Sequence, residues 1–360
     1  MKIIFDCRYT RIGRHDGISR YGSRLVEELS KLHSVTMLIS DKRQLELLPD
    51  LPWELASSPT GAGEPFIALQ VNRLNPDVVF TPMQTMGPFG RKYALVTTVH
   101  DLIYYKYPTP PHNLPWPVRV MWRIYHLTWA FQRALLNRAD AHVTDSQTTR
   151  DQMLEHRLTK KPISVVTMGT DSSEESTVRT VPTSRELIYM GSYMPYKNVE
   201  LIARALHDLP EYTLHLMSRT DDDVKARLSE LAPESSLIFH DGASDEVYIE
   251  TLSRATALVS ASRDEGFGLP QVEAMVLGTP VLLSDIPIFR EISGTAGGFF
   301  NPDEPAELVR EVRALEDPAV WQTRSTAARI RSADFTWAKG AAELSQVLQD
   351  AVAVRAQARK

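Results

Sequence analysis

Disulfide bonds and membrane-spanning segments are the first features that this sequence lacks. Cys7 is the single cysteine, which argues against a disulfide-stabilised scaffold and favours a reducing compartment. No apolar run reaches the roughly 18 residues of a membrane span, and the N-terminus is charged too soon for a secretory signal. We therefore expect a soluble, cytoplasmic protein in which Cys7 fills part of the core.

An excess of basic charge and the common catalytic motifs are also missing. The net charge of -5 gives no electrostatic case for binding nucleic acid. The ten histidines are scattered and there is no Cys-x-x-Cys, so no metal site is predicted. Neither a Gly-x-Ser-x-Gly elbow nor a Walker loop is present. The chemistry has to come from residues outside these motifs.

Short apolar strands alternate with helical patterns along the chain, which predicts parallel, doubly wound sheets. A length of 360 residues favours two domains. The polar segment at 170–184 has almost no large apolar residues and predicts a linker. We therefore predict an α/β fold with two Rossmann-like domains, residues 1–172 and residues 183–337. Both would present the carboxyl ends of their strands to a central cleft.

The stretch from Ser260 to Met275 is the most informative part of the sequence. A strand ends at its start, and a helix with Pro270 at its first position follows a glycine loop. Gly266 and Gly268 thus lie at the positive end of a helix, where backbone N–H groups bind phosphate. Two glutamates bracket this loop, and carboxylates near a phosphate favour hydroxyl partners. The stretch therefore suggests a nucleotide sugar.

Several of these residues also have an ordinary structural explanation. Glu273 is predicted in the first turn of its helix, where a glutamate favours the helix dipole and can cap its own backbone. Glu265, in contrast, gains nothing from capping and needs a partner if buried. Lys197 either neutralises a leaving diphosphate or is an exposed lysine at a helix start. His100 ends a strand, where it serves the chemistry or bonds a neighbouring loop. The loop with Gly17 follows the first strand, at the edge where open sheets bind ligands.

Residues Trp116 to Arg138 combine tryptophans with arginines on predicted helices. Aromatic and arginine side chains together suit an interface with lipid headgroups or with a large acceptor. Tryptophan at helical spacing is, however, typical of a core, and arginine often solvates such a helix. Both interpretations stay open at this stage.

Five regions of the sequence carry a resemblance to a known family. They are Glu265-Gly266-Phe267-Gly268-Leu269-Pro270 with Glu273-Ala274-Met275 and Gly278-Thr279-Pro280-Val281, then Gly191 through Lys197-Asn198, then Gly17-Ile18-Ser19-Arg20-Tyr21 with Val99-His100-Asp101, and Phe335-Thr336-Trp337. They closely resemble the family-four retaining glycosyltransferases of GT-B fold, which have a Glu-x7-Glu region. The resemblance spans nearly the whole chain.

The resemblance implies transfer of a sugar from a nucleotide sugar with retention of configuration, without a metal or cofactor. Glu273 would hold the ribose, and the backbone amides from Gly266 through Phe267 and Gly268 to Leu269 would hold sugar and phosphate. A front-face mechanism, in which the leaving phosphate helps to deprotonate the acceptor, fits the lack of an obvious nucleophile.

The same resemblance implies roles for the remaining candidates. Lys197 would neutralise the diphosphate, Glu265 would lie near the donor sugar, and His100 would lie near the reacting centre. Gly17, Gly191 and Ser192 complete the expected donor-binding set. The GT-B architecture also implies that the last helix, residues 338–360, packs back on the N-terminal domain.

Two departures from the family pattern affect donor binding. Ser192 stands where relatives have an arginine, so Arg20, Arg219 or Arg263 would supply the missing charge, or the diphosphate is held less strongly. Met217-Ser218-Arg219 replaces glycines, which leaves the nucleotide open between GDP-mannose and a UDP-sugar.

We expect a hexosyltransferase, with mannose preferred, acting on a glycan or lipid-linked acceptor, on the inner face of the membrane if Trp116 to Arg138 contact lipid. The alternatives are an epimerase or phosphorylase on the same fold, and a non-catalytic nucleotide-sugar binder.

Overall fold

The computed structural model describes residues 1–110, 115–170 and 184–357. The chain forms two compact units: unit 1 contains residues 1–169 and 335–360, and unit 2 contains residues 170–334. The predicted linker, and with it the predicted boundary at 172 and 183, lies outside the described residues except at its two ends.

Unit 1 is built on a seven-stranded parallel sheet in the order β3-β2-β1-β4-β5-β6-β7. Its strands are β1 Lys2–Asp6, β2 Ser34–Ile39, β3 Trp53–Leu55, β4 Val78–Thr81, β5 Ala94–Val99, β6 Ala141–Thr144 and β7 Ile163–Val165. Every residue of β4, β5 and β6 is buried, as a parallel sheet covered on both faces requires. The edge strand β3 was not predicted, because all its residues are exposed and show no buried pattern.

Six helices of unit 1 follow its strands. They are α1 Gly17–Ser30, α2 Ile67–Val71, α3 Ile103–Lys106, α4 Trp116–His126, α5 Trp129–Leu136 and α6 Gln147–Glu155. The Asp16 carboxylate accepts a hydrogen bond from the Ser19 backbone N–H at 2.9 Å and caps α1. The placement of Gly17 in a loop was therefore wrong: Gly17 is the first residue of the helix.

Unit 2 is built on a six-stranded parallel sheet in the order β10-β9-β8-β11-β12-β13. Its strands are β8 Glu186–Tyr189, β9 Thr213–Leu216, β10 Leu237–Phe239, β11 Ala257–Ser260, β12 Val281–Ser284 and β13 Gly297–Phe300. Its helices are α7 Val199–Ala205, α8 Asp222–Leu231, α9 Asp245–Arg254, α10 Leu269–Val276, α11 Pro287–Ser293, α12 Pro305–Ala314 and α13 Pro318–Ser332. Fully buried Trp321 donates its indole N–H to the Thr256 carbonyl at 3.0 Å, which satisfies the one polar group of that ring.

The last helix, α14 Trp337–Gln357, packs against α1 within unit 1. Two glycines allow the start of α14 to approach the segment that follows β7. A Cβ at Gly340 would lie 2.2 Å from the Thr167 carbonyl oxygen, and a Cβ at Gly169 would lie 2.2 Å from the Trp337 backbone nitrogen. Any side chain at either position would displace the backbone.

The predicted α/β architecture of two doubly wound parallel sheets is confirmed. Cys7 is buried as expected, and burial raises the pKa of its thiol. Among the described helices, none combines the length and the apolar character that crossing a membrane would take.

Candidate active site

The candidate residues of unit 2 gather where β8 and β11 end, because these two strands are hydrogen-bonded neighbours in the sheet. Gly191 and Ser192 follow β8 and lead into the 3₁₀ turn Pro195–Lys197. The loop with Glu265 follows β11. The Arg263 backbone N–H donates to the Tyr196 carbonyl at 2.7 Å and ties the two segments together. The segment that follows β8 and the segment that follows β11 therefore form one site.

Lys197 and Glu265 form an ion pair at this site, Nζ to Oε1. The same carboxylate oxygen accepts a hydrogen bond from the Ser262 hydroxyl at 3.1 Å. The two side chains are only 13% and 15% exposed. Lys197 is thus the partner that a buried Glu265 needs. This pairing was not predicted from the sequence.

The glycine loop leads directly into α10. Gly268 has φ +89°, a backbone conformation that favours glycine, and a Cβ there would lie 2.9 Å from Nε2 of Gln271 and displace that amide. Gln271 donates from that nitrogen to the Phe267 carbonyl at 2.9 Å, which fixes the loop. Leu269 begins the helix with no side-chain cap, and its first N–H groups can serve an anion. Pro270 is the second helical residue and not the first as predicted.

Glu273 lies in the second turn of α10, so the capping explanation was wrong. Its carboxylate instead accepts a hydrogen bond from the hydroxyl of Tyr248 at 2.9 Å. Tyr248 is a buried residue of α9. Tyr248 was not predicted as a site residue, because nothing in the α9 pattern distinguishes it from an ordinary core tyrosine.

Gly191 stands where the chain passes close to a buried ring. A Cβ at Gly191 would lie 2.8 Å from the hydroxyl of Tyr189. That hydroxyl donates to the Ser192 carbonyl at 2.6 Å, and the Gly191 N–H donates to Oγ of Ser218 at 3.1 Å. The backbone after β8 is therefore fixed, while the Ser192 residue is exposed.

The three arginines proposed to replace the missing charge at Ser192 differ in their surroundings. Arg263 bonds Asp303 Oδ1 at 2.5 Å and the Pro302 carbonyl at 3.3 Å. Arg219 is exposed and lies beside Gly242, and it forms no ion pair with another described residue. Arg20 lies on α1 in unit 1. Within unit 2, Arg219 is the better candidate.

In unit 1, His100 follows β5 and is enclosed by oxygen acceptors. Its Nδ1 contacts Asp145 Oδ2 and its Nε2 lies 2.8 Å from the Pro82 carbonyl oxygen. The edge of Tyr21 packs on the ring at 5.1 Å. Since carboxylate and carbonyl can only accept, both ring nitrogens carry a proton and the side chain is an imidazolium.

Burial alone would lower the pKa of His100, but the charge of Asp145 and the hydrogen bonds to Asp145 and Pro82 raise it to about 9. The histidine is therefore a fixed cation at neutral pH. His100 and Ile18, the residue after Gly17, both line a cavity of about 230 Å³ in unit 1. Gly17 itself borders open space, because a Cβ added there would have no atom within 4 Å.

The region from Trp116 to Arg138 forms α4 and α5, and much of its apolar surface is exposed. Trp116 is 75% exposed and Leu127 is 79% exposed. Val120, Met121, Ile124 and Phe131 are exposed as well. Trp122 and Trp129, in contrast, pack on Tyr104 and Tyr105. Two of the tryptophans are thus packed on other rings, and the third is on the surface. Contact of this surface with lipid or with an acceptor stays a prediction.

Two parallel Rossmann-like units, with a glycine loop at a helix N-terminus and a lysine–glutamate pair beside it, define the class of GT-B glycosyltransferases. Family models agree with this class. Residues 15–174 match the model of Glycosyltransferase Family 4, and residues 172–331 match the model of Glycosyl transferases group 1. The chain is a glycosyltransferase that combines a Family 4 region with a group 1 region.

The chain is similar to bacterial mannosyltransferases at low identity. It is 24% identical over 324 residues to the O-antigen chain mannosyltransferase RfbU of Salmonella typhimurium, covering 85% of this chain and 89% of that protein. It is 28% identical over 189 residues to the serotype-specific mannosyltransferase WbdA of Escherichia coli, covering 50% of this chain but only 23% of that protein.

Solved structures share the fold over almost the full length. Sucrose-phosphate synthase from Thermosynechococcus elongatus superposes with a TM-score of 0.73 at 19% identity, covering 98% of this chain and 99% of that one. HepE from Anabaena, solved in complex with UDP-glucose, superposes with a TM-score of 0.70 at 18% identity, covering 97% and 100%. At these identities the similarity establishes the fold alone.

Proposed function

We propose that this glycosyltransferase moves a hexose, with mannose favoured, from a nucleotide sugar to a glycan or lipid-linked acceptor with retention of configuration. The observation that carries the proposal is the joint site in unit 2. There the Lys197–Glu265 pair lies beside the glycine loop, and α10 carries Glu273 held by Tyr248. The names of RfbU and WbdA favour mannose, and the HepE complex keeps a UDP-sugar open as donor.

Each group of the site has a task in this reaction. Glu273, oriented by Tyr248, accepts hydrogen bonds from the ribose hydroxyls of the donor. The N–H groups at the start of α10 bind the diphosphate, and Lys197 neutralises the charge that grows on it as the bond to the sugar breaks. Glu265 holds the ammonium in place and accepts from a hydroxyl of the sugar.

The transfer proceeds on one face of the donor sugar. The bond between C1 and the phosphate oxygen breaks, and a bond from C1 to the acceptor hydroxyl oxygen forms on the same face. The hydroxyl proton passes to the leaving phosphate oxygen, so no protein nucleophile and no metal ion is required. In unit 1, His100 transfers no proton, since both its nitrogens already donate, and its charge is paired with the carboxylate of Asp145.

The exposed surface of α4 and α5 is proposed to rest on an anionic lipid bilayer at the cytoplasmic face of the membrane. Residues 116–138 contain four arginines and no carboxylate. Trp116, Val120, Ile124 and Leu127 form an exposed apolar stripe at helical spacing along α4 and just beyond its end. Apolar insertion combined with arginine at headgroup level suits such a surface.

The proposal is tested by thermal shifts with GDP, UDP and ADP and their sugars, because a bound nucleotide stabilises the fold by mass action. One nucleotide should raise Tm, and Glu273→Ala should abolish that shift. The matching nucleotide sugar is then incubated with the protein. An epimerised sugar without acceptor, or a need for inorganic phosphate, would overturn the transferase assignment, and binding without any turnover would indicate a non-catalytic binder.

A further inference from the structure

The helix α10 ends in a Schellman motif, in which the chain turns back through a glycine. The Gly278 N–H donates to the Met275 carbonyl at 3.0 Å. The Thr279 N–H donates to the Ala274 carbonyl at 2.9 Å. Gly278 has φ +70°, the left-handed conformation that this motif requires. The motif satisfies two of the last carbonyl groups of α10, and that of Leu277 receives its donor from another helix.

Arg329 of α13 is the donor to that carbonyl. Its Nη2 lies 3.2 Å from the Leu277 carbonyl oxygen, and the residue is half-buried where α13 packs against α10. A Cβ at Gly278 would lie 2.5 Å from Nε of Arg329, so glycine leaves the room that the guanidinium occupies. A cation is favourable here, because the carbonyls at the end of a helix carry partial negative charge. Arg329 therefore holds the end of α10 that lies opposite the glycine loop.

A second helix, α9, also holds α10. The Tyr248 hydroxyl bonds Glu273 at 2.9 Å. The hydroxyl of buried Thr279 donates to the Leu252 carbonyl at 2.7 Å. Tyr248 and Leu252 are four residues apart and therefore lie on one face of α9. The C-terminal end of α10 is thus tied to α9 through Thr279 and to α13 through Arg329.

The groups of α10 that would bind the donor move together with this end of the helix. Leu269–Val276 is a helix of eight residues, so its two ends are about 12 Å apart. The N–H groups at its start and the carboxylate of Glu273 belong to the same hydrogen-bonded backbone as the Leu277 carbonyl. A misplacement of about 1 Å in a group that positions a substrate is costly. Loss of the Arg329 contact should therefore weaken the contacts to the phosphate and to the ribose.

We infer that Arg329 is a positioning residue for the nucleotide, because it holds the C-terminal end of α10 and thereby sets the places of the first N–H groups and of Glu273. The inference rests on the proposed function, which assigns the diphosphate and the ribose to α10. Arg329 does not touch the donor itself, since it lies at the opposite end of the helix. Lys197 and Glu265 lie outside α10, on the segments that follow β8 and β11. The loss should therefore appear in donor binding more than in kcat.

The test measures the dissociation constant of the full-length protein for GDP, UDP or ADP, whichever raises the Tm of the wild-type protein, by isothermal titration calorimetry. Arg329→Gln should weaken binding by about fivefold or more. It should raise KM for the matching nucleotide sugar by a similar factor and leave kcat nearly unchanged. Arg329→Lys keeps a charged donor and should recover part of the affinity. Thermal unfolding without ligand is recorded for every variant as a control for folding.

Arg324→Gln is the matched control, because Arg324 lies on the same helix and bonds Glu311 of α12 at 2.7 Å. It should leave the affinity for the nucleotide unchanged, whatever its effect on Tm. Gly278→Ala would displace the guanidinium of Arg329 and should weaken binding as Arg329→Gln does. Gly90→Ala introduces the same side chain at φ +72° in unit 1, and it controls for backbone strain without a change in affinity.

Unchanged affinity in Arg329→Gln and Gly278→Ala, or an equal loss of affinity in Arg324→Gln, would overturn the inference. If Arg329→Gln does not fold, the comparison of Gly278→Ala with Gly90→Ala decides the question in the same way. A wild-type protein that binds none of the three nucleotides would instead overturn the proposed function, and the inference with it.

Discussion

The ammonium of Lys197 is bound to the carboxylate of Glu265 across the ends of two neighbouring strands, β8 and β11. The pair is largely buried and Ser262 supports its carboxylate. The carboxylate of Glu265 thus holds the ammonium of Lys197 in position before any donor binds. Positioning of this kind lowers the cost of reorganisation in the transition state.

Replacing Lys197 should therefore affect the chemical step more than binding. We expect Lys197→Met to lower kcat by about 10²–10³-fold with a smaller change in KM for the donor, because the lost charge acts on the leaving diphosphate. Glu265→Gln should lower kcat less, since the lysine stays. The measurement is steady-state kinetics of donor consumption. A raised KM for the donor with an unchanged kcat in Lys197→Met would show that the lysine only binds the donor.

Two glycines of unit 1 give a matched pair that separates function from stability. A Cβ at Gly17 has no atom within 4 Å, so Gly17→Ala should leave Tm nearly unchanged. The same substitution should lower kcat/KM for the donor if Gly17 approaches the diphosphate. Gly340→Ala should destabilise the protein by about 1–3 kcal/mol through overpacking against Thr167. Thermal unfolding and donor turnover are measured on both. A large fall in Tm for Gly17→Ala, or full activity, would remove it from the site.

The raised pKa of His100 predicts a pH-dependent stability. With a folded pKa of about 9 and an ordinary value near 6.5, protonation stabilises the native state fully below about pH 6.5 and the contribution is lost as the pH rises through 9. Asp145→Asn should therefore destabilise the protein by up to about 3 kcal/mol at pH 6, and the deficit should shrink above pH 9.

Chemical denaturation at a series of pH values gives this difference, and NMR titration of the His100 ring follows its pKa directly. Asp151→Asn, on the exposed surface of α6, is the matched control and should show no such trend. A deficit that is constant from pH 6 to about pH 10 would indicate that Asp145 acts only through packing.

The exposed apolar stripe on α4 predicts binding to anionic membranes. Full-length protein should co-sediment with vesicles of phosphatidylglycerol and phosphatidylethanolamine, and less with phosphatidylcholine alone. Changing Trp116 and Leu127 to serine should reduce binding by about tenfold or more, because apolar insertion is lost. Leu154→Ser alters an exposed leucine of α6 and is the control. Equal binding to both vesicle types would mean that the arginines play no part.

Much of the fold follows from the apolar pattern, because strands buried on both faces are continuous apolar runs. The strand at Ala257–Ser260 ends at Ser260 as predicted, whereas the exposed edge strand at Trp53–Leu55 has no such run. The glycine loop was recognisable because Gly268 meets a conformational requirement that few other residues satisfy. Local rules of this kind can be read along the chain.

The pairings of the site could not be predicted in the same way. Lys197 and Glu265 are 68 residues apart, and their contact depends on β8 lying beside β11. Tyr248 reaches Glu273 only because α9 packs near α10. Asp145, the partner of His100, likewise directly follows the neighbouring strand β6. Strand order decides these contacts, and the order of strands in a parallel sheet leaves no local signal.

Retaining transfer from a nucleotide sugar can be tested by donor hydrolysis followed by NMR in real time, because water replaces the unknown acceptor. The wild-type protein is incubated with the α-linked nucleotide sugar that gives a thermal shift, and the anomeric proton of the released hexose is observed before mutarotation. We expect the α-anomer to appear first and Lys197→Met to slow its release. Initial release of the β-anomer, or an epimerised nucleotide sugar with no hexose released, would contradict retaining transfer.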